Sequence, residues 1–174
     1  MRPRPPAPGA LGLVEEFLRT RNEVTDAAGL LRWRAERGLP AEPAPLPFDR
    51  AVRLREALRA LLAGHNGLPL DPAAVEVVNA EIAACGLRPA LDPDTAGGLR
   101  WLPGEEADAL AAAVLAAVLD ATADGTWRRM KACAAGDCRY AFYDHTRNGS
   151  GRWCDVSGCG ANARMRAYRR RHAG

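Results

Sequence analysis

Nowhere in these 174 residues is there an apolar run of the ~18–20 residues that a bilayer-spanning helix needs. The longest, Leu110 to Leu119, falls well short. The N-terminus (Met1-Arg2-Pro3-Arg4-Pro5-Pro6-Ala7-Pro8) has charge but no apolar h-region, so a secretory signal is not supported. The expectation is a soluble, cytoplasmic protein without membrane contact. Lysine is nearly missing: Lys131 stands alone, and the other 23 of 24 basic residues are arginine. Catalytic signatures are missing as well. There is no Gly-rich phosphate loop, activated serine or HExxH motif, and the acidic residues are spread along helices, so the chain is expected not to be an enzyme.

What is present supports a packed core. Hydrophobic residues make up 48% and charged residues 26%, and the length suits one domain or one domain plus a small module. The net charge of +3 conceals two opposite parts. From Trp127 onward there are 11 Lys and Arg against 3 Asp and Glu, giving +8; the first 126 residues hold 13 and 18, giving −5. An acidic body with a basic tail piece suits an anionic partner, most often nucleic acid.

Residues 1–9 read as a flexible Pro/Arg-rich leader with no means of packing. Leu11, Val14, Phe17 and Leu18 recur at helical spacing. Thr25 or Asp26 caps a second helix carrying Leu30, Leu31 and Trp33, ended by Gly38 and Pro40. Pro40 to Pro47 cannot be helical, because each ring removes a donor and restricts the preceding residue; it reads as a stiff connector. Asp49 begins a third helix with Val52, Leu54, Leu58, Leu61 and Leu62, stopped near Gly64. Asp71-Pro72 starts a fourth, with Val75, Val78, Ile82 and Cys85, closed by Gly86. Leu87–Leu91 and Gly98–Leu102 flank an Asp92–Gly97 turn as a hairpin. A fifth helix is expected from about Glu105 to Ala123. Its first turn is read as acidic (Glu105, Glu106, Asp108), its buried stripe as Leu110, Val114, Leu115, Val118 and Leu119, and its stop as Gly125.

Four of the five cysteines fall within 27 residues, as Cys133-x4-Cys138-x15-Cys154-x4-Cys159. Clustered thiols without an export signal point to metal rather than disulfides. Two short-range pairs of soft ligands suit a tetrahedral Zn2+ with a closed shell, which makes the zinc structural rather than catalytic. Between the pairs, Tyr140–Tyr143 alternates as a strand, Arg147–Gly151 turns, and Arg152-Trp153 returns. A helix from Gly160 or Ala161 to about Arg171 completes a treble-clef-like finger whose folding and metal binding are one event. His145 reads as a polar turn residue outside the shell, His65 and His172 as surface residues, and Cys85 as a core thiol.

Nearby arginines and Lys131 would offset the −2 charge of a zinc tetrathiolate, so part of the positive count is expected to be structural. On the terminal helix, Asn162, Arg166, Arg169 and Arg170 fall within a wedge of about 100°. Cys159, Ala163 and Ala167 form a neighbouring small-residue strip suited to packing on the hairpin. Such a basic face suits a major groove or a phosphate backbone.

The run Phe142-Tyr143-Asp144-His145-Thr146-Arg147-Asn148-Gly149-Ser150-Gly151-Arg152-Trp153-Cys154, followed by Cys159-Gly160 and Met165-Arg166-Ala167-Tyr168-Arg169-Arg170-Arg171, resembles the CGNR zinc-finger family. Phe17-Leu18-x-Thr20, Thr25-Asp26, Leu31-x-Trp33 and Leu54-Arg55 are similar to its N-terminal helical ABATE domain. The resemblance implies stress-induced transcription regulation, with DNA binding by the finger. It also implies a mainly α domain containing a β-hairpin (residues 10–126), followed by a treble-clef-like finger (127–174). The family's signature tetrapeptide stands here as Cys159-Gly160-Ala161-Asn162, so Ala161 and Asn162 occupy its Asn and Arg positions. Metal binding is untouched. Asn162 keeps a hydrogen bond but no charge, with Arg164 or Arg166 to compensate.

The expectation is a zinc-dependent regulator of double-stranded DNA. Cys133, Cys138, Cys154 and Cys159 would hold the metal. Arg147, Arg152, Asn162, Arg164, Arg166, Arg169 and Arg170 would contact nucleic acid. The N-terminal domain would sense a small molecule or bind a protein partner, with any pocket near Trp33 or Trp101. RNA binding, with stacking by Tyr140, Phe142, Tyr143, Trp153 or Tyr168, is one alternative. A zinc-stabilised protein-interaction module is another.

Overall fold

A computed structural model describes residues 4–40, 46–93, 98–135 and 138–172. Most of the connector expected at Pro40–Pro47 and most of the Asp92–Gly97 turn lie outside these residues.

Local signals place the helices well. Helix α1 (Leu11–Arg19) buries Leu11, Val14, Phe17 and Leu18. Helix α2 (Ala27–Ala35) starts where the Asp26 carboxylate accepts from the Gly29 N–H. Helix α3 (Phe48–Gly64) lines up Leu54, Leu58 and Leu62, none of which is exposed at all. Burying each such leucine is worth about 1.5–3 kcal/mol. Helix α4 (Pro72–Ala84) has the Asp71 cap and proline first turn that its sequence announces. Strands β1 (Arg88–Asp92) and β2 (Gly98–Leu102) pair antiparallel, with Leu91 opposite Leu99.

Helix α5 (Ala109–Ala123) begins four residues later than the charge pattern suggests. Asp108 is its N-cap, accepting from the Ala111 N–H, so Glu105 and Glu106 precede the helix instead of forming its first turn. The same Asp108 takes a 2.6 Å bond from the buried Arg34 guanidinium and another from the Leu46 N–H. An acidic residue that looked like dipole decoration is thus a junction joining α2, the stretch before α3 and α5.

The second sheet also departs from expectation. Strand β4 (Ala141–Tyr143) pairs not with Arg152-Trp153 but with β3 (Met130–Ala132), which precedes Cys133. The hairpin therefore wraps the first cysteine pair. The Arg152 segment is unpaired coil whose carbonyl accepts one bond from the Ala134 N–H. β3 wins the pairing because Met130 and Ala132 are buried beside α3, completing the apolar core. That core runs across residue 126 without a break: Trp127, Met130, Ala132, Ala141 and Tyr143 join the same cluster as α1, α3 and α5. The chain finishes with a wide helical turn (Val156–Gly160) running into α6 (Ala161–Arg171). None of the helices among the described residues is long and apolar enough to cross a membrane.

Candidate metal centre and basic surfaces

The β3–β4 hairpin presents Cys133 and Cys138 from one side; the coil after it and the wide turn before α6 present Cys154 and Cys159 from the other. All four sulfurs lie within 4.8 Å of one another. Cys138 and Cys159 are each 3.7 Å from Cys154. A tetrahedral ion with bonds of about 2.3 Å to sulfur requires sulfur–sulfur edges of about 3.8 Å, so the donor set fits such an ion. The cysteines are free thiols. His145 is not in the group: its ring lies on Tyr143 and its Nε2 faces the carbonyls of Pro5 and Pro6.

Each of these thiols bears on the ionisation of its neighbours. Burial opposes ionisation of Cys133, but the N–H groups of Cys154 and Ala135 hold its thiol below the ordinary value. Burial, followed by the charge of Cys133, pushes Cys154 far up. Burial and the neighbouring sulfurs raise Cys159 to about 11. One thiolate therefore resists the next, and a divalent ion bound among them would supply the compensating charge.

Close approach requires glycine at position 151 and leaves little room at position 160. A Cβ on Gly151 would lie 2.6 Å from Asp144 Oδ1, and one on Gly160 would press on the Trp153 ring at 3.4 Å. Asp144 is fully buried. It accepts from Lys131 Nζ at 2.9 Å, from Thr146 and from the Gly151 N–H. Burial alone would raise its pKa, yet those bonds bring it down to about 2. The single lysine is thus a structural pin, also donating to the carbonyls of Gly149 and Gly151.

The leader from residue 4 onward is not loose. Arg4 donates to the carbonyls of Trp153 and Cys154, both at 2.8 Å, and lies over the Phe142 ring. Ala7 is buried, its N–H bonded to Glu15. The expectation of a packing-free leader fails because an arginine finds carbonyls and an aromatic face on the finger. His65 is likewise no surface residue. It is half-buried, bonded to the Met130 carbonyl at 2.7 Å and edge-on to Trp127. His172 is exposed, and Cys85 is a buried core thiol raised to about 11 by burial.

The expected nucleic-acid residues do not share one place. Arg147 lines a 490 Å³ cavity between the end of α5 and the finger's turn; Arg152 lines a 500 Å³ cleft against α3. Asn162, Arg164, Arg166, Arg169 and Arg170 are all exposed on α6, with Ala163 and Ala167 half-buried beside them. Phe142 and Tyr143 are buried, whereas Tyr140 and Tyr168 are exposed. Trp33 is core, packed on Phe17 under Arg37, and neither it nor Trp101 lines the two cavities just described. Sequence reading missed Glu15, Arg59 and Asn66, which tie the finger's backbone to the helices. They bond to Tyr143, Arg139 and Ala132 respectively. The one available signal, for Glu15 and Arg59 only, was a charged residue within a helix that buries apolar neighbours.

A search of curated proteins returns no match. The family model for the CGNR zinc finger matches residues 129–172. A second model, ABATE, described as "Putative stress-induced transcription regulator", matches residues 11–125, well over half of the chain. With the helical core, the β1–β2 hairpin and the four-cysteine cluster in place, the chain belongs to the ABATE family and carries a C-terminal CGNR zinc finger.

Proposed function

We propose that this is a zinc-dependent regulator that binds double-stranded DNA through α6. One observation carries the reading. Helix α6 buries no residue, holds no acid, and exposes five arginines, at 164, 166, 169, 170 and 171. A helix that contributes so little to the core is held up by its root, where Cys159 and Gly160 meet the finger. Zinc bound by the four thiolates would supply structure only, because a closed tetrahedral shell has no position for water. On this reading the zinc serves binding and not catalysis. The arginines would contact chiefly phosphates, which give affinity and register, while base-edge contacts give specificity. The family description as a transcription regulator supports the same reading.

Fluorescence anisotropy with labelled duplex DNA across a salt series tests this. Affinity is expected to fall as salt rises. Arg169→Ala with Arg170→Ala should make the salt dependence shallower, by about 0.9 in slope for each phosphate that is no longer neutralised, while zinc stays bound. Binding that is missing at ~50 mM salt, or indifferent to salt, would refute it. RNA is the second reading, favoured by Tyr168, which is exposed beside the arginines and stacked on His172 at 4.1 Å. Competition between duplex DNA and structured RNA separates the two.

A further inference from the structure

The finger and the helical region meet around a concave site whose charge is one-sided. It measures 490 Å³, within the range of small-ligand pockets, and lies where the chain leaves α5 and meets the finger's Arg147–Gly149 turn. Arg128, Arg129, Lys131 and Arg147 line it, against one acid, Asp124. Asp124 is already engaged by the Thr126 N–H and hydroxyl, and it is held ionised by them. His65 also lines the site, kept below the ordinary histidine value chiefly by burial.

The four cations divide into two kinds. Arg129 and Lys131 are fixed: Arg129 donates to the carbonyls of Asp144 and Thr146, and Lys131 to Asp144 and two glycine carbonyls. They form a rigid floor, on which the Lys131 charge is paired with Asp144 and Arg129 supplies the net positive charge. Arg128 and Arg147 are exposed at the rim. Arg128 spends only its Nε, on the Gly125 carbonyl, and the Arg147 side chain has no bond among the described residues. Among the described residues, their remaining guanidinium donors have no hydrogen-bond partner. A planar fork of N–H donors matches a phosphate's oxygens in pairs, and a field already fixed in place needs little reorganisation on binding.

We infer that this junction is a binding site for a small phosphate-bearing molecule, such as a free phosphate or the phosphate chain of a nucleotide. Arg128 and Arg147 close on it over the Arg129–Lys131 floor. His65 and Asp124–Thr126 belong to the helical region and Arg128, Arg129, Lys131 and Arg147 to the finger, so an occupant sits at their junction and stabilises it by mass action. The site is independent of α6 and of the DNA reading.

The test uses the full zinc-loaded chain, with inorganic phosphate and ADP as probes and chloride at equal ionic strength as control. Thermal unfolding and calorimetric titration are the readouts, with zinc content checked after each. Expected is a saturable stabilisation by phosphate or ADP that chloride does not reproduce. In the Arg128→Gln/Arg147→Gln double variant it should weaken at least about tenfold, since both charge-assisted rim contacts are lost. That variant should keep its zinc and its unliganded melting temperature, because neither side chain is used by the core. Stabilisation absent with both probes, matched by chloride, or unchanged in the double variant overturns the inference. So does a double variant that loses duplex DNA affinity when neither small probe binds, which would make the site a nucleic-acid contact. Loss of DNA binding only in α6 variants leaves the inference standing, so the two readings fail separately.

Discussion

Helices α5 and α6 mark the two extremes of this molecule. α5 buries Leu110, Val114, Leu115 and Val118, and with them Ala111, Ala112, Ala117 and Ala121, so it is covered on nearly every side. α6 buries nothing. The first is stable because apolar area leaves water, a force with no direction that tolerates exchange of one aliphatic residue for another. The second depends on directional chemistry at its base: four sulfurs, a buried Asp144–Lys131 pair and Gly151, which permits close approach to Asp144. One chain thus uses two kinds of cohesion. They are joined by polar bonds from Glu15, Arg19, Arg59 and Asn66 to the backbone of β3 and β4 and the residues beside them.

The sharpest way to break the contrast is Cys154→Ser. Metal binding contributes about 10–16 kcal/mol to zinc-finger peptides, so the loss should be total. Bound zinc should fall to none and the α6 amides should exchange freely, while α1 to α5 keep a cooperative melt. Leu115→Ala should do the reverse, costing about 2–5 kcal/mol in that melt with zinc retained. Elemental analysis with hydrogen exchange reads both, and zinc surviving in Cys154→Ser would dissolve the distinction.

A smaller effect tests the joint. Glu15, 1% exposed, accepts from the N–H groups of Ala7 and Tyr143 and pairs with Arg19 at 2.6 Å. Glu15→Ala strands two buried donors, a loss of about 3 kcal/mol. Urea unfolding followed by helix signal and by a zinc-release dye should show both midpoints falling together. A fall in one probe alone would mean that the regions unfold independently.

The smallest effect is set by pH at His65. Its folded pKa lies below the unfolded value, mainly through burial, so the unfolded chain binds more protons as pH drops past the ordinary histidine range. Stability contributed there is complete above that range and lost as pH falls. Between about pH 7.5 and 5.5 the native protein should lose more melting temperature than His65→Gln. Equal losses would show that the buried ring does not titrate with unfolding.

Helix positions, caps and the cysteine quartet were legible in the sequence because each is written within a few residues. Asp26 and Asp71 cap the turn that follows them, and the x4 spacings bring sulfurs into pairs. Asp108 misled because a carboxylate near a helix start reads as a dipole partner, and its true partners, Arg34 and Leu46, are 74 and 62 residues away. Strand β4 misled for a similar reason. Two segments, β3 and Arg152-Trp153, were available to pair with it, and only burial against α3 selects between them.

By itself, then, the sequence determined which segments coil, where they stop, and which four cysteines form one candidate metal site, since propensity, capping and ligand spacing act locally. Tertiary structure alone decided that Arg4 is clamped to the carbonyl of Cys154, that one core spans both regions, and that the arginines divide among α6 and two cavities. Those outcomes depend on surfaces that exist only once distant parts of the chain have met.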